Sequence, residues 1–201
     1  PDGRFPNHIP NPENAEAMGS VCRAVADSNA DLGVIFDTDV DRSAIIGRNG
    51  EPINRNALIA LIASVILEEH PHSTIVTDSV TSDGLADFIS RKGGRHHRYR
   101  RGYKNVINEG IRLNEAGEEC WLAIETSGHA ALRENYFLDD GAYLAAKLIV
   151  YAAKLFREGR QVHEAIASLK QPLESKEIRI KLTDPDFKAY GAAAKRRENR
   201  A

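Results

Sequence analysis

The feature that most constrains this chain is an apolar run, residues 32–36, that leads directly into three aspartates at alternate positions. These are Asp37, Asp39 and Asp41, and Arg42 follows them immediately. A short apolar run bounded by polar residues is typical of a buried strand, so we predict a strand that ends in a charged loop. Three carboxylates in one short loop repel one another, and a bound cation stabilises such an arrangement.

The ligand chemistry of this loop favours Mg²⁺. The loop contains no Cys or His, and ligation by oxygen alone suits Mg²⁺ better than Zn²⁺. The adjacent Arg42 suits a phosphate group that bridges to the metal. A solvated acidic turn after a buried strand is the alternative, and the spacing of the aspartates is compatible with it. A calcium-binding EF-hand is excluded, because the Gly and Glu that it requires at fixed offsets are missing.

Length and composition describe a globular chain without a strong electrostatic preference. The 201 residues carry a formal charge of −2, which indicates neither a polyanion partner nor a membrane surface. The longest apolar stretch, residues 57–67, is too short to span a bilayer. Cys22 and Cys120 lie far apart among apolar residues, which favours free thiols and a cytoplasmic location. Because the chain opens without an initiator Met or an apolar leader, we expect a fragment or a processed protein.

Predicted strands and helices alternate along the chain, which indicates an α/β fold with a mixed, mostly parallel sheet covered by helices on both faces. The predicted order is helix 13–29, strands 32–36 and 43–47, an Asn-Gly turn at 48–51, helix 55–69, strand 74–78, helix 82–92, strand 96–100, helix 103–116, strand 120–125 and helix 139–158. Ligands of such sheets bind beyond the carboxyl ends of the strands. We therefore expect the loops after residues 36, 78, 100 and 125 to face one crevice.

Two of these loops carry further chemistry. The stretch 91–104 holds seven Lys or Arg and no acid. It suits nucleic acid, a small phosphate ligand or a solvated basic face, and its position between a strand and a helix favours the small phosphate. The loop 125–129 reads Glu-Thr-Ser-Gly-His. There Glu125 can accept and Ser127 can donate hydrogen bonds to neighbouring hydroxyls of a sugar, and His129 beside a glycine is a further candidate.

Several of these segments resemble the α-D-phosphohexomutases, the phosphoglucomutase and phosphomannomutase enzymes. Residues 37–42, Asp-Thr-Asp-Val-Asp-Arg, resemble their metal-binding loop, and 125–129 are similar to their sugar-binding loop. Residues 101–104, Arg-Gly-Tyr-Lys, resemble the loop in which members hold a catalytic basic residue, and 3–12 resemble the segment that leads out of their second domain. The four segments occur in the family's order. Thr38 departs from the pattern, because the family usually has Gly there.

The resemblance implies a four-domain enzyme of which this chain is a part. Residues 1–17 would be the end of the second domain and a connector, and residues 18–137 would be the third domain, with three α/β/α layers. Linker helices would follow at 138–171. Residues 172–201 would be the truncated start of a small α+β fourth domain that binds phosphate, with 174–179 as its first strand. The family's phosphoserine loop and its substrate-phosphate loop would then lie outside this chain. The chain alone would accordingly be inactive.

The resemblance also implies the reaction and the residues that perform it. The expected activity is Mg²⁺-dependent phosphoryl transfer between C1 and C6 of a glucose or mannose phosphate, through a hexose bisphosphate. The implied metal ligands are Asp37, Asp39 and Asp41. The implied catalytic residues are Arg42, Lys104 and His129, and the implied substrate-binding residues are Glu125, Ser127, Arg101 and Gly102. The implied partners are these sugar phosphates and the remaining domains of the same polypeptide, without nucleic acid or membrane.

Two other functions stay open at this point. A phosphatase of the haloacid dehalogenase type would use Asp37 as nucleophile, with Asp139 and Asp140 as its final acid pair. Against it, these two acids precede an amphipathic helix pattern, where acids commonly serve as caps, and the third aspartate of the loop has no role. A non-enzymatic nucleic-acid module built on 91–104 would show salt-dependent binding.

Overall fold

The computed structural model describes residues 3–172. The helices are α1 (Ala15–Ser28), α2 (Arg55–Glu69), α3 (Asp83–Arg91), α4 (Tyr103–Glu115), α5 (Gly141–Arg157) and α6 (Val162–Ala165). The strands are β1 (Leu32–Phe36), β2 (Ser43–Gly47), β3 (Pro52–Ile53), β4 (Thr74–Asp78), β5 (Arg95–Tyr99), β6 (Cys120–Ile124) and β7 (Ala130–Leu132). The predicted strand 174–179, and with it the predicted fourth domain beyond Pro172, lies outside the described residues.

The strands described between residues 3 and 172 form two sheets. The first is antiparallel, in the order β1-β2-β3, and the second has the order β5-β4-β6-β7. In the second sheet β4 pairs in parallel with β5 and with β6, and β7 is antiparallel to β6. Strand β1 therefore belongs to a different sheet from β4, β5 and β6. β1 pairs with β2 because the loop 37–42 between them is short, and a short loop can join antiparallel strands only.

Helix α2 forms the centre of the main hydrophobic core. Every residue from Leu58 to Leu67 is buried, so this helix is apolar all round, as expected of a helix enclosed on every side. Its cluster takes in Ile45 of β2, Ile75 of β4, Leu122 of β6 and the inner face of α5. Each fully buried Leu or Ile contributes about 1.5–3 kcal/mol relative to an exposed one. The cluster thus ties both sheets to one helical layer.

Two further helices cover the opposite faces of the sheets. Helix α4 packs on the second sheet through a cluster formed by Val76, Val106, Leu113, Cys120 and Ala123. Helix α1 packs on the first sheet through Met18 and Val25, which meet Ala44 and Ile46. The second sheet therefore has helices on both faces, which confirms the α/β fold of three layers with a mixed, mostly parallel sheet.

Local signals fix the ends of several helices. Asn14 Oδ1 accepts hydrogen bonds from the N–H groups of Glu16 and Ala17, both at 3.0 Å, and so caps α1. Asp140 Oδ1 accepts from the N–H group of Tyr143 at 2.8 Å and caps α5, as predicted for an acid in that position. The predicted helices and strands end within two residues of the observed ones, while β3, β7 and α6 were not predicted. Within residues 3–172, no helix combines the length and the apolar character needed to cross a bilayer.

Candidate functional site

The aspartate loop between β1 and β2 is closed at its base by Asp37 and Arg42. Asp37 is 6% exposed. Its Oδ1 accepts from the backbone N–H of Arg42 at 3.1 Å, and its Oδ2 accepts from Arg42 Nε at 2.7 Å. The backbone N–H of Asp37 also donates to the carbonyl of Arg42 at 3.4 Å. These bonds hold the guanidinium group of Arg42 against the carboxylates of the loop.

The tip of the loop brings the other two aspartates towards Asp37. Val40, between them, has φ +66°, a left-handed conformation that is unusual for a β-branched residue. Carboxylate oxygens of Asp37, Asp39 and Asp41 lie within 4.8 Å of one another. Asp41 Oδ1 is buried, accepts no hydrogen bond from the described residues and lies 3.8 Å from Arg42 Nε. A buried carboxylate oxygen without a donor is suited to a metal ion, so the three residues could hold one.

The ionisation of two of these aspartates is shifted in opposite directions. Burial opposes ionisation of Asp37, but the backbone and side-chain hydrogen bonds from Arg42 outweigh it and lower the pKa of that carboxyl. Burial raises the pKa of Asp41 to about 6; the charge of His129 opposes this rise, and the neighbouring Asp37 carboxylate adds to it. Around pH 6, a metal ion bound at this loop would therefore compete with a proton on Asp41.

We expect Mg²⁺ to bind this chain more tightly as the pH rises from about 5 to about 8, because the proton on Asp41 must leave before the carboxylate can coordinate the ion. Titration calorimetry at about pH 6 in two buffers with different enthalpies of ionisation should reveal proton release on binding. The Asp41→Asn variant should bind Mg²⁺ weakly and without this pH dependence. An affinity in the unchanged chain that is constant over this range would contradict the assignment of Asp41.

The predicted sugar loop is a tight turn anchored at Glu125, which is 5% exposed. The N–H of Glu125 donates to the carbonyl of His129 at 2.9 Å, and the N–H of Gly128 donates to the carbonyl of Glu125 at 3.1 Å. Glu125 Oε2 accepts from Ser127 Oγ at 3.0 Å, while its Oε1 accepts from the N–H of Gly102 at 2.6 Å. One carboxylate therefore orders the turn and joins it to the basic loop before α4.

Asp78, at the end of β4, supports the same turn and was not predicted as a site residue. It is completely buried. Its two carboxylate oxygens accept from the N–H of Thr126 at 3.2 Å and from Thr126 Oγ1 at 2.8 Å. Arg101 Nε lies 4.0 Å from Asp78 Oδ2. The signal that could have identified Asp78 is its place at the carboxyl end of a buried strand, in one of the four loops expected to meet.

His129 lies where the loops meet. It forms an isolated backbone bridge with Arg42, and its ring stacks on Tyr103 with the ring centres 4.7 Å apart. His129 Nδ1 lies 2.8 Å from Asp139 Oδ2 and 3.6 Å from Asp41 Oδ2. Burial lowers the pKa of His129, but the hydrogen bond to Asp139 and the nearby carboxylate charges outweigh burial and raise it. Asp139 is a second residue whose contact with the site was not predicted.

The structure brings most of the predicted site residues together. The four loops touch through the contacts of Asp78, Gly102, Glu125 and His129 described above, although the aspartate loop comes from a separate sheet. Lys104 differs: it is exposed in the first turn of α4, with Nζ 5.7 Å from the centre of the Tyr103 ring. Arg101 is also largely exposed, and its Nε approaches the site at Asp78.

Comparison with known proteins identifies relatives of this chain. Residues 1–50 match the model of phosphoglucomutase/phosphomannomutase α/β/α domain II, and residues 54–172 match that of domain III. The phosphomannomutase/phosphoglucomutase of Pseudomonas syringae pv. tomato is 32% identical over 184 residues, which are 91% of this chain and 38% of that protein. The phosphomannomutase of Escherichia coli is 31% identical over 188 residues, 92% of this chain and 39% of that protein.

Solved structures give the same relationship. A phosphoglucomutase/phosphomannomutase family protein from Burkholderia thailandensis superimposes with a TM-score of 0.71 at 30% identity, over 85% of this chain and 35% of that one. A phosphomannomutase-like protein from Thermus thermophilus, at 18% identity and a TM-score of 0.63, shares the fold.

The two domain matches meet between residues 50 and 54. The aspartate loop falls within the domain II match, and the domain boundary at residue 17 that the family resemblance implies stays a prediction. The predicted linker helices 138–171 fall within the domain III match. The chain spans about 38% of the length of the Pseudomonas relative. With more than half of its residues matched by one domain model, this chain belongs to the phosphoglucomutase/phosphomannomutase family.

Proposed function

We propose that the full-length protein interconverts the 1- and 6-phosphates of glucose or mannose in a reaction that requires Mg²⁺. The observation that carries this proposal is the backbone bridge between Arg42 and His129. It sets a loop suited to a divalent cation beside a loop suited to sugar hydroxyls, so that a phosphoryl group and the ring that receives it can occupy one site. Family membership, and relatives named for both activities, support the same reaction.

Magnesium suits the aspartate loop because all its candidate ligands are carboxylate oxygens and because Asp41 Oδ1 has no hydrogen-bond donor among the described residues. Asp37, Asp39 and Asp41 would hold the ion. When bound, Mg²⁺ offsets the charge on a phosphoryl group during transfer. Arg42 holds Asp37 in place through Nε and contributes a second positive charge to the same region.

The remaining proposed roles concern the sugar and its phosphate. Glu125 accepts and Ser127 donates hydrogen bonds to neighbouring hydroxyls of the ring, and the N–H of Gly102 is held at the same place by Glu125. His129, fixed by its stacking on Tyr103, transfers a proton at the reacting hydroxyl. Lys104 in the first turn of α4 and Arg101 in the loop before it, both exposed, contact the phosphate group.

The phosphoryl group comes from a phosphoserine elsewhere in the full-length polypeptide, which is a further part of the proposal. The serine phosphate transfers to the free hydroxyl of the sugar phosphate, and the resulting bisphosphate turns over in the site. Its other phosphoryl group then returns to the serine. Two similar ring hydroxyls allow Glu125 and Ser127 to serve both orientations, and the 201-residue chain alone is inactive because the serine is not part of it.

The contacts of Asp139 and Asp140 weigh against the phosphatase alternative. Asp140 caps α5 and Asp139 pairs with His129, so each acid has a partner other than Asp37. We also propose that the basic stretch 91–104 serves the sugar phosphate rather than nucleic acid. The free thiols of Cys22 and Cys120 support a cytoplasmic location for the protein.

A ³¹P NMR time course tests this function. With Mg²⁺, a trace of glucose 1,6-bisphosphate and either glucose 1-phosphate or mannose 1-phosphate, the full-length protein should produce the corresponding 6-phosphate. The 201-residue chain should produce neither a 6-phosphate nor inorganic phosphate. Release of inorganic phosphate by the chain would support Asp37 as a phosphatase nucleophile instead, and steady isomerisation by the chain alone would contradict the need for the serine.

A further inference from the structure

A second group of potential ligands lies beside the aspartate loop. It consists of Asp41, His129 and Asp139, which come from the aspartate loop, the sugar loop and the residues just before α5. One ligand atom from each lies within 4.8 Å of the others. His129 Nδ1 lies 2.8 Å from Asp139 Oδ2 and 3.6 Å from Asp41 Oδ2.

These separations suit an ion with short bonds to nitrogen and oxygen. With ligand distances of about 2.0 Å, neighbouring ligand atoms of a tetrahedral Zn²⁺ site lie about 3.3 Å apart, and the two distances from His129 Nδ1 fall on either side of that value. One imidazole and two carboxylates form an open three-ligand set of the kind that leaves a fourth position for water or substrate. An imidazole also favours Zn²⁺ and similar ions over Mg²⁺.

Neither carboxylate of this group is fully satisfied by hydrogen bonds from the described residues. Asp41 Oδ1 and Asp139 Oδ1 are both buried and accept no hydrogen bond from residues 3–172. Buried carboxylate oxygens without donors are costly, and an ion held by the two carboxylates would remove that cost. His129 pairs with Oδ2 of Asp139, so Oδ1 of Asp139, like Oδ1 of Asp41, stays available to a metal ion.

The backbone holds the three residues in place independently of their side chains. Arg42, next to Asp41, bridges to His129, and Ala131 bridges to Asp139. The N–H of Gly141 donates to the carbonyl of Val40 at 3.0 Å, which fixes the start of α5 against the aspartate loop. A metal ion would therefore meet ligands that are already gathered, at little cost in conformational entropy.

We propose that Asp41, His129 and Asp139 form a second divalent-cation site, which is selective for a borderline transition-metal ion such as Zn²⁺. Because both sites need Asp41, an ion in this site and Mg²⁺ in the aspartate loop cannot be bound at the same time. Binding there does not depend on mutase activity. The consequence for catalysis rests on the proposed function: an ion in this site takes Asp41 from Mg²⁺ and immobilises His129, so it inhibits the enzyme.

Two matched variants separate the sites. Asp139 belongs only to the second group and Asp39 only to the first, and replacement by asparagine preserves the shape of each side chain. The probe is Co²⁺, whose visible absorption strengthens when the ion is four- or five-coordinate, titrated into the unliganded 201-residue chain. Zn²⁺ is then used to displace it, and Mg²⁺ affinity is measured by calorimetry on the same samples.

We expect Asp139→Asn to weaken Co²⁺ and Zn²⁺ binding by at least roughly 10- to 100-fold, because loss of even an outer-shell partner costs a metal site that much. At about pH 8, where Asp41 is ionised, the same change should affect Mg²⁺ affinity far less. Asp39→Asn should do the reverse. His129→Gln should abolish the Co²⁺ absorption, and excess Mg²⁺ should raise the apparent Kd for Zn²⁺. Equal Co²⁺ affinity in the unchanged chain and in Asp139→Asn, or loss of Co²⁺ binding in Asp39→Asn alone, would overturn the proposal.

Discussion

Replacing Glu125 with alanine should lower kcat/KM of the full-length enzyme about 100-fold, the usual cost of misplacing a substrate by about 1 Å. The Glu125 carboxylate accepts from both Gly102 and Ser127, so its loss releases the sugar loop from the basic loop. It also leaves two donors without their acceptor, which costs about 1–3 kcal/mol of folding free energy. Steady-state kinetics with glucose 1-phosphate, and urea unfolding of the same variant, measure the two effects.

Two variants serve as controls for this experiment. Glu115→Ala removes an exposed carboxylate from the end of α4 and should leave both activity and stability unchanged. Glu125→Gln keeps one acceptor oxygen, so its effect should lie between those of the other two variants. If Glu125→Ala retained kcat/KM within a few-fold of the unchanged enzyme, the proposed role of this residue would be wrong.

The second large effect is expected at Gly141, the first residue of α5. A Cβ atom there would lie 2.8 Å from the carbonyl carbon of Arg42 and 2.9 Å from the carbonyl oxygen of Val40. Both are backbone atoms, so the aspartate loop has to move. We expect Gly141→Ala to lower the free energy of unfolding by about 1–3 kcal/mol, as overpacking typically does, and to weaken Mg²⁺ binding because Asp41 moves with the loop.

The direction of this change is diagnostic, because Gly→Ala in a helix normally stabilises a protein by about 0.5–1 kcal/mol. Gly19, within α1, provides the matched case: a Cβ there would meet only the end of the flexible Arg23 side chain, at 3.4 Å. Gly19→Ala should therefore stabilise the chain in urea or thermal unfolding and leave Mg²⁺ titration unaltered. If Gly141→Ala also raised the free energy of unfolding, the start of α5 would not be packed closely against the backbone of the aspartate loop.

The order of helices and strands could be predicted because it depends on neighbours in the sequence. The continuous apolar run of α2 and the short buried run of β4 carry their own signals, and the Asn14 and Asp140 caps are local. The two-residue strand β3 and the three-residue strand β7 carry too little pattern to be found. They exist because a longer neighbouring strand offers them backbone partners.

The site could be predicted only in part, for the same reason. The aspartate loop and the turn 125–129 are contiguous, and their residues could be identified from spacing and resemblance. Asp78 acts through Thr126, 48 residues away, and no local pattern joins these two positions. The division of the strands into two sheets likewise depends on pairing between distant segments. The aspartate loop belongs to the antiparallel sheet, yet it still lies beside the loops of the parallel sheet, because Arg42 bridges to His129.

The hydrogen bond from the N–H of Gly141 to the carbonyl of Val40 joins the first turn of α5 to the aspartate loop. The helix has 17 residues and so is about 25 Å long. Along this length its inner face is buried in the main core through Leu144, Leu148 and Leu155, and close packing of this kind resists displacement. The aspartate loop is therefore anchored to a helix that the core holds in place, which limits how far the tip of the loop can move when it is empty.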